Sequence, residues 1–241
     1  MQSLSVQPSI LLIIILLAAG GYLSYKSGKL TFAGSVTGVL TALLIYLGAG
    51  LIGLIMLGAF FILGTAATSY KKEYKRKMSL SNANEEKRKS GQVLANGGVA
   101  ALLALLSFLM ENKDPVLQVM IAGSLASATG DTLSSELGSL FGRNFYNILT
   151  GRKEERGLNG VISFEGTLFG IFGSLVIALI YTIGIGWSFA FFAIIIAGVI
   201  GNLCDSLLGA LFERRGYLSN DSVNFLNTAI AAVVALLWMK L

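Results

Sequence analysis

Two carboxylates and several hydroxyls stand in the stretch Ala128-Thr-Gly-Asp131-Thr132-Leu-Ser-Ser135-Glu136-Leu-Gly-Ser-Leu-Phe-Gly-Arg143, which otherwise reads as a membrane-spanning helix. A carboxylate in hydrocarbon costs at least ~2.5 kcal/mol on insertion scales, so it persists where it faces a wet cavity, a partner charge or a metal. An echo follows as Asn202-Leu-Cys-Asp205-Ser-Leu-Leu-Gly-Ala-Leu-Phe-Glu-Arg214. Both run Asp, a hydroxyl residue, Leu, then Leu-Gly-x-Leu-Phe-x-Arg, and the first carries three extra residues, about one helical turn. They read as two walls of one site. With no His and a single Cys, the chain builds no Ser-His-Asp triad, no zinc site of the usual ligands and no internal disulfide. Any metal is therefore held by oxygen.

The elements that must position these residues are transmembrane helices. Of 241 residues, 54% are hydrophobic and only 13% charged, and Pro is nearly absent, which makes this an all-α, polytopic integral membrane protein. Eight spans are expected in a single transmembrane domain, near 9–25, 34–47, 50–69, 93–110, 115–141, 164–183, 187–212 and 221–238. Residues 34–69 are too long for one span, and the break is expected near Gly48-Ala-Gly50. Residues 1–9 carry no Lys or Arg, so the first span is expected to be retained rather than cleaved as a signal peptide. The loops joining spans 1–2, 3–4, 5–6 and 7–8 carry 2, 8, 4 and 2 basic residues, against Lys113 and Lys240 on the other side. The positive-inside rule then puts both termini outside and the polar cleft, between spans four to eight, on the cytoplasmic face. The basic run at 70–90 is expected to be solvated, and no nucleic-acid partner is expected.

Helical spacing groups the polar residues. Gly198, Gly201, Asn202, Asp205 and Gly209 fall at i, i+3, i+4, i+7 and i+11, one small and polar face. Asp131, Ser135 and Gly138 form another, and Asp221, Asn224 and Asn227 or Thr228 a third. Gly166, Gly170 and Gly173-Ser174 form a small-residue stripe that reads as helix packing. Asp131 and Glu136, five residues apart, diverge on an ideal helix, so joint service at one site demands a break near Ser134-Ser135.

The motifs Asn96-Gly-Gly98, Ala-Thr-Gly-Asp131-Thr-Leu-Ser-Ser-Glu136, Gly157-Leu-Asn-Gly160-Val-Ile-Ser163-Phe-Glu-Gly166-Thr167, Asp205-Ser-Leu-Leu-Gly-Ala and Asn220-Asp221-Ser-Val-Asn224-Phe-Leu-Asn227 occur in that order. Over residues 30–241 this series resembles an integral-membrane family that includes the phytyl-phosphate kinases of plants and cyanobacteria, itself distantly similar to CTP-using dolichol kinase and the CDP-lipid synthases. The resemblance implies phosphoryl transfer from a nucleoside triphosphate, CTP first, to an isoprenyl monophosphate such as phytyl or geranylgeranyl phosphate. It implies Mg²⁺ on an all-oxygen set, Asp131, Asp205 and Asp221, which are also the catalytic residues. Asn96, Thr132, Ser135, Glu136, Asn159, Ser163, Asn202, Asn224 and Asn227 are implied to bind substrate or nucleotide around them. Arg143, Arg152, Lys153, Arg156 and Arg214 flank the cleft mouth as phosphate clamps, though the topology rule alone also accounts for basic residues there. In place of a Gly-Thr-Ser-Gly-Gly-Val-Ser type of run stands Gly157-Leu-Asn-Gly-Val-Ile-Ser163, a departure that bears on the phosphate loop.

Two other classes stay open at this stage. A CDP-lipid synthase uses the same substrates, and a small-solute transporter also carries intramembrane acids. A transporter should show a polar path through both halves of the membrane. Here Leu102–Met110 and Phe189–Ala197 are almost wholly apolar, which favours the enzyme.

Overall fold

The computed structural model describes residues 9–77, 87–110 and 114–240. Its helices are α1 (Ile10–Lys26), α2 (Phe32–Ser69), α3 (Lys72–Lys77), α4 (Ser90–Leu109), α5 (Pro115–Phe141), α6 (Phe164–Ile185), α7 (Ala190–Leu208) and α8 (Asn220–Trp238), with two short strands, β1 (Phe145–Asn147) and β2 (Val161–Ser163), between α5 and α6. Among the described residues five helices are long and apolar enough to cross a membrane: α2, α4, α6, α7 with its extension to Glu213, and α8; α1 is apolar but shorter.

At ~1.5 Å per residue the 38 residues of α2 would run about 57 Å, nearly twice the ~30 Å hydrocarbon layer. The chain folds back instead. Gly50 has φ 65° and ψ −158°, a conformation that only glycine adopts without strain, and it falls where the sequence places the break. Downstream of it, a Cβ at Gly53 would lie 3.0 Å from the Ile45 side chain, and Lys29, just ahead of α2, donates to Ser69 Oγ at its end (2.9 Å). The two limbs are thus an antiparallel hairpin, each of crossing length.

The hub is α5, buried without interruption from Ile121 to Gly130. It faces protein on every side, so Ser, Thr and Gly replace the bulky apolar residues of a lipid-facing helix. Helix α6 approaches through the predicted glycine stripe: a Cβ at Gly138 would lie 2.6 Å from Gly166 Cα, and one at Gly173 would lie 3.1 Å from Gly130. On α7, Gly201 rests on Ser127 and Gly198 on Ser174 and Ala126. Helix ends are sealed by side chains, among them Asp114 Oδ1 accepting from Val116 N–H (2.8 Å) ahead of Pro115, Ser163 Oγ from Gly166 N–H (3.0 Å) and Ser219 Oγ from Ser222 N–H (3.2 Å).

Three features differ from the sequence expectation. Helix α5 is continuous through Ser134-Ser135. The loop of 142–162 holds an antiparallel hairpin, Phe145 opposite Ser163 and Asn147 opposite Val161. Part of the basic run at 70–90 is not solvated: Lys75 is buried, donating to Ala67 O (2.8 Å) and to the Glu136 carboxylate. Residues 78–86 of that run lie outside the described residues.

Candidate functional site

The site begins as an acid pair. Close packing of Gly201 on Ser127 draws α7 against α5, and four residues beyond each, one turn on, the carboxyls of Asp205 and Asp131 meet. Asp205 Oδ1 accepts from Asn227 Nδ2 (2.7 Å), and Asn227 Oδ1 accepts from Ser127 Oγ (3.0 Å). Only one orientation of the Asn227 amide satisfies both bonds. Since Asn227 is fully buried, the relay from α5 through α8 to α7 fixes the aspartate pair rigidly. Asn202, one turn before Asp205, is buried against Gly170.

The pair lines a chamber of about 180 Å³ that residues 157–163 cover. Gly157 and Gly160 take φ of 82° and 74°, and Gly160 presses on Ser206 and Ala210, where a side chain would collide. That segment is the one bearing the departure from the family-like loop. Ser163 sits at its end and caps α6. The opposite wall carries Glu213, within electrostatic reach of both aspartates, its carboxylate accepting from the Asn159 and Asn220 side chains. Glu213 reaches the chamber because α7 continues as a π-helical turn over Gly209–Glu213, with Arg214 N–H donating to Gly209 O (3.1 Å). A π turn takes in one extra residue, so Glu213, eighth after Asp205, stands about where the seventh would in a regular helix, on the same face. Among the described residues no Lys or Arg lines this chamber.

A second polar chamber, about 510 Å³, opens on the other side of Asp131. Asp131, Ser135 and Asn220 line both. Here the cations gather: Lys29, Lys72, Lys87 and Arg88. Arg88 is pinned by its backbone to 29–31, its N–H donating to Lys29 O (3.0 Å) and its O accepting from Thr31 N–H (3.1 Å), and its guanidinium lies 5.7 Å from the centre of the Phe60 ring. Burial lowers the Arg88 pKa and the Glu136 carboxylate raises it again; an arginine stays charged regardless. Glu136 belongs to this chamber, tied to Lys75, so α5 serves both sides of Asp131 without the expected break.

The remaining expected residues divide clearly. Asn96, Thr132, Ser135 and Asn224 line the large chamber, and Asn224 Oδ1 is buried with no hydrogen-bond partner among the described residues. Asn159, Ser163 and Asn202 line the small one. Asp221 reaches neither chamber: its carboxylate lies against Gly91 in a cleft with Leu94, Ala95 and Phe225. There it sits beside the first turns of both α4 and α8, where a negative charge is favourable. Among the described residues no three Asp, Glu, Cys or His side chains gather as a metal cage; Asp131 and Asp205 meet without Asp221, and Glu213 shares their chamber. Arg143, Arg152, Lys153 and Arg156 line neither chamber. Arg214 is a clasp: it pairs with Glu154 (2.7 Å) and donates to Asn159 O, holding the covering loop to the end of α7. Sequence reasoning missed Glu213, Arg88, Lys29 and Lys72. The basic residues were counted only as topology signals, and the π turn leaves no mark in a 3.6-residue period.

The family described as integral membrane protein DUF92 matches residues 14–232. The chain is 36% identical over 184 residues to an uncharacterised membrane protein of Methanocaldococcus jannaschii, covering 76% of this chain and 75% of that one. It is 29% identical over 218 residues to the chloroplastic protein VTE6 of Arabidopsis thaliana (88% and 66%), and 29% over 197 residues to an uncharacterised membrane protein of Synechocystis (80% and 76%). No solved structure matches the chain.

Proposed function

We propose, from the premise that this chain belongs to the integral-membrane family DUF92, that it is a membrane kinase transferring the γ-phosphoryl group of a nucleoside triphosphate, CTP first, to an isoprenyl monophosphate such as phytyl or geranylgeranyl phosphate. The observation that carries this reading is the division of charge about Asp131: acids and amides without a protein cation on one side, four cations on the other. The resemblance of the ordered motifs to phytyl-phosphate kinases supplies the lipid class.

The triphosphate end of the nucleotide enters the small chamber. Two touching carboxyls facing a chamber that no Lys or Arg among the described residues lines suit Mg²⁺, which binds through one or two carboxylates plus substrate phosphates and water. Asp131 and Asp205 would hold it, and it would supply neutralisation of the charge on the transferring group. Asn227 keeps Asp205 in place, and Glu213 orients Asn159 and Asn220 toward the same space. Arg88, with Lys29 and Lys72, receives the acceptor phosphate from the large chamber. An oxygen of that phosphate attacks the γ-phosphorus; the bond from the γ-phosphorus to the β,γ-bridging oxygen breaks, and the nucleoside diphosphate leaves with its electron pair. The acceptor's second pKa is about 6, so it arrives largely ionised and needs no general base, which suits a chain without His.

The reading includes eight crossings, counting α1, both limbs of α2, and α4 to α8 without α3, with the two chambers facing the cytoplasm as the basic-loop partition requires. Purified protein given isoprenyl monophosphate and CTP labelled separately at the γ- and α-phosphates tests the reaction. Only γ-label should enter a lipid diphosphate. Appearance of α-label in lipid would make the protein a CDP-lipid synthase instead.

A further inference from the structure

Between α1 and the two limbs of α2 lies a cavity of about 340 Å³ that the acid site does not use. Leu16 and Leu17 of α1, Val39 and Ala42 of the first limb, and Leu57 and Phe61 of the second make its wall apolar. Along α1 it runs from Leu16 to Ser24, about 12 Å of helix. At one end the wall changes character, because Arg88 and Gln92 line both this cavity and the large polar chamber. An apolar groove that ends on a held guanidinium, itself open to the chamber containing Asp131, is complementary to an anionic head on a single hydrocarbon chain.

Resting on the kinase reading above, we propose that this groove is the prenyl-tail site of the acceptor, with Arg88 at its mouth reading the monophosphate, and that the α1–α2 wall sets the acceptor's chain length. Glycine keeps the groove open. A Cβ built at Gly58 or Gly20, both on the lining, meets nothing within 4 Å, so a side chain added at either position starts in open space. The head end is fixed by Gly64, where a Cβ would lie 2.9 Å from the Arg88 guanidinium. Gly58 is six residues further along that limb, about 9 Å from the mouth. A five-carbon acceptor ends short of it, and a twenty-carbon acceptor passes it.

Gly58→Phe in the full chain should therefore lower the ratio of kcat/KM for a C20 over a C5 isoprenyl monophosphate, by ~tenfold for every two methylenes turned out of the groove. Gly20→Phe repeats the test from the opposite wall, and thermal melting of both variants separates blockage from misfolding. Equal losses on C5 and C20, or none in either folded variant, would overturn the assignment. A binding readout independent of transfer uses a C20 monophosphate carrying a terminal diazirine, crosslinked to the protein in nanodiscs. Label on α1 and α2 peptides, competed by unlabelled C20 monophosphate and lost in Gly58→Phe, supports the groove even if no phosphoryl transfer is found, in which case the kinase reading alone falls. Label elsewhere, or equal competition by a two-chain phosphatidic acid, overturns the groove even if the kinase reading stands.

Discussion

The two polar chambers share Asp131 and differ in almost everything else. The small one is built from helix faces locked by glycine contacts and one π turn, lined by Asp131, Asp205 and Glu213, and roofed by a loop that Arg214 clasps. The large one adds to faces of α2, α4, α5 and α8 two pieces of chain that enter between helices, at 27–29 and 87–88, and its charge is cationic apart from the acids of α5. One side of the same aspartate demands a cation from its ligand and the other offers cations to it. On the proposed kinase reading, this division keeps a phosphoryl donor and a phosphoryl acceptor, both anionic, from repelling each other across a few ångströms.

The strongest way to break that contrast is to neutralise the shared wall. Asp131→Asn or Asp205→Asn is expected to lower kcat by three orders of magnitude or more, since each keeps the volume and removes half of the paired charge. Thermal stability without Mg²⁺ should be equal or higher, because two carboxyls in contact repel when both are ionised. A loss of folding with the loss of turnover would count against a catalytic role for the pair.

Next comes the cationic side. Arg88→Lys keeps the charge but loses the fork, and Arg88→Ala loses both; KM for the isoprenyl monophosphate should rise about tenfold and a hundredfold, respectively, with kcat and nucleotide KM moving much less. A larger change in nucleotide KM would place the donor, not the acceptor, in the large chamber. Glu136→Gln acts on the same chamber through stability. It leaves the buried Lys75 ammonium without its carboxylate, at a cost of about 3 kcal/mol, the low end for a broken buried pair because Glu136 faces the chamber. Lys75→Gln should cost less, and melting in one detergent compares the two.

The smallest effect concerns the roof. Hydrogen bonds from Arg214 and Asn147 hold the Glu154 carboxyl below its ordinary value. Its contribution is therefore complete above the unfolded value of about 4.3 and is lost as pH falls through the lower folded value. The protection of residues 157–163 from hydrogen exchange, taken relative to the intrinsic base-catalysed rate at each pH, should be constant from pH 7 to 5 and fall only below that, and Glu154→Gln should show the lower protection at every pH. Insensitivity of that exchange to Glu154 would mean that Gly160 packing alone holds the roof.

How far the sequence reached follows the same division. Asp131, Asn202 and Asp205 were legible because they lie on uninterrupted helices, where a 3.6-residue period projects a face correctly, and Gly50 because a 36-residue apolar block must break somewhere. The period also explains the displacement of Asp221. Residues 221, 224 and 227 step back about 60° each time, an arc of about 120°, so Asn227 can face Asp205 while Asp221 turns to the start of α4. Glu213 was hidden by a π turn, and Arg88 and Lys75 by a rule that explains basic residues through topology and asks no more of them.

The most direct test sets Asp205→Asn against Asp221→Asn in one assay of γ-phosphate transfer from CTP to geranylgeranyl monophosphate, with both variants checked for an intact melt. A site built on the Asp131–Asp205 pair predicts at least a thousandfold loss for Asp205→Asn and less than a tenfold loss for Asp221→Asn. Equal thousandfold losses in two folded variants, or the reverse order, would contradict it.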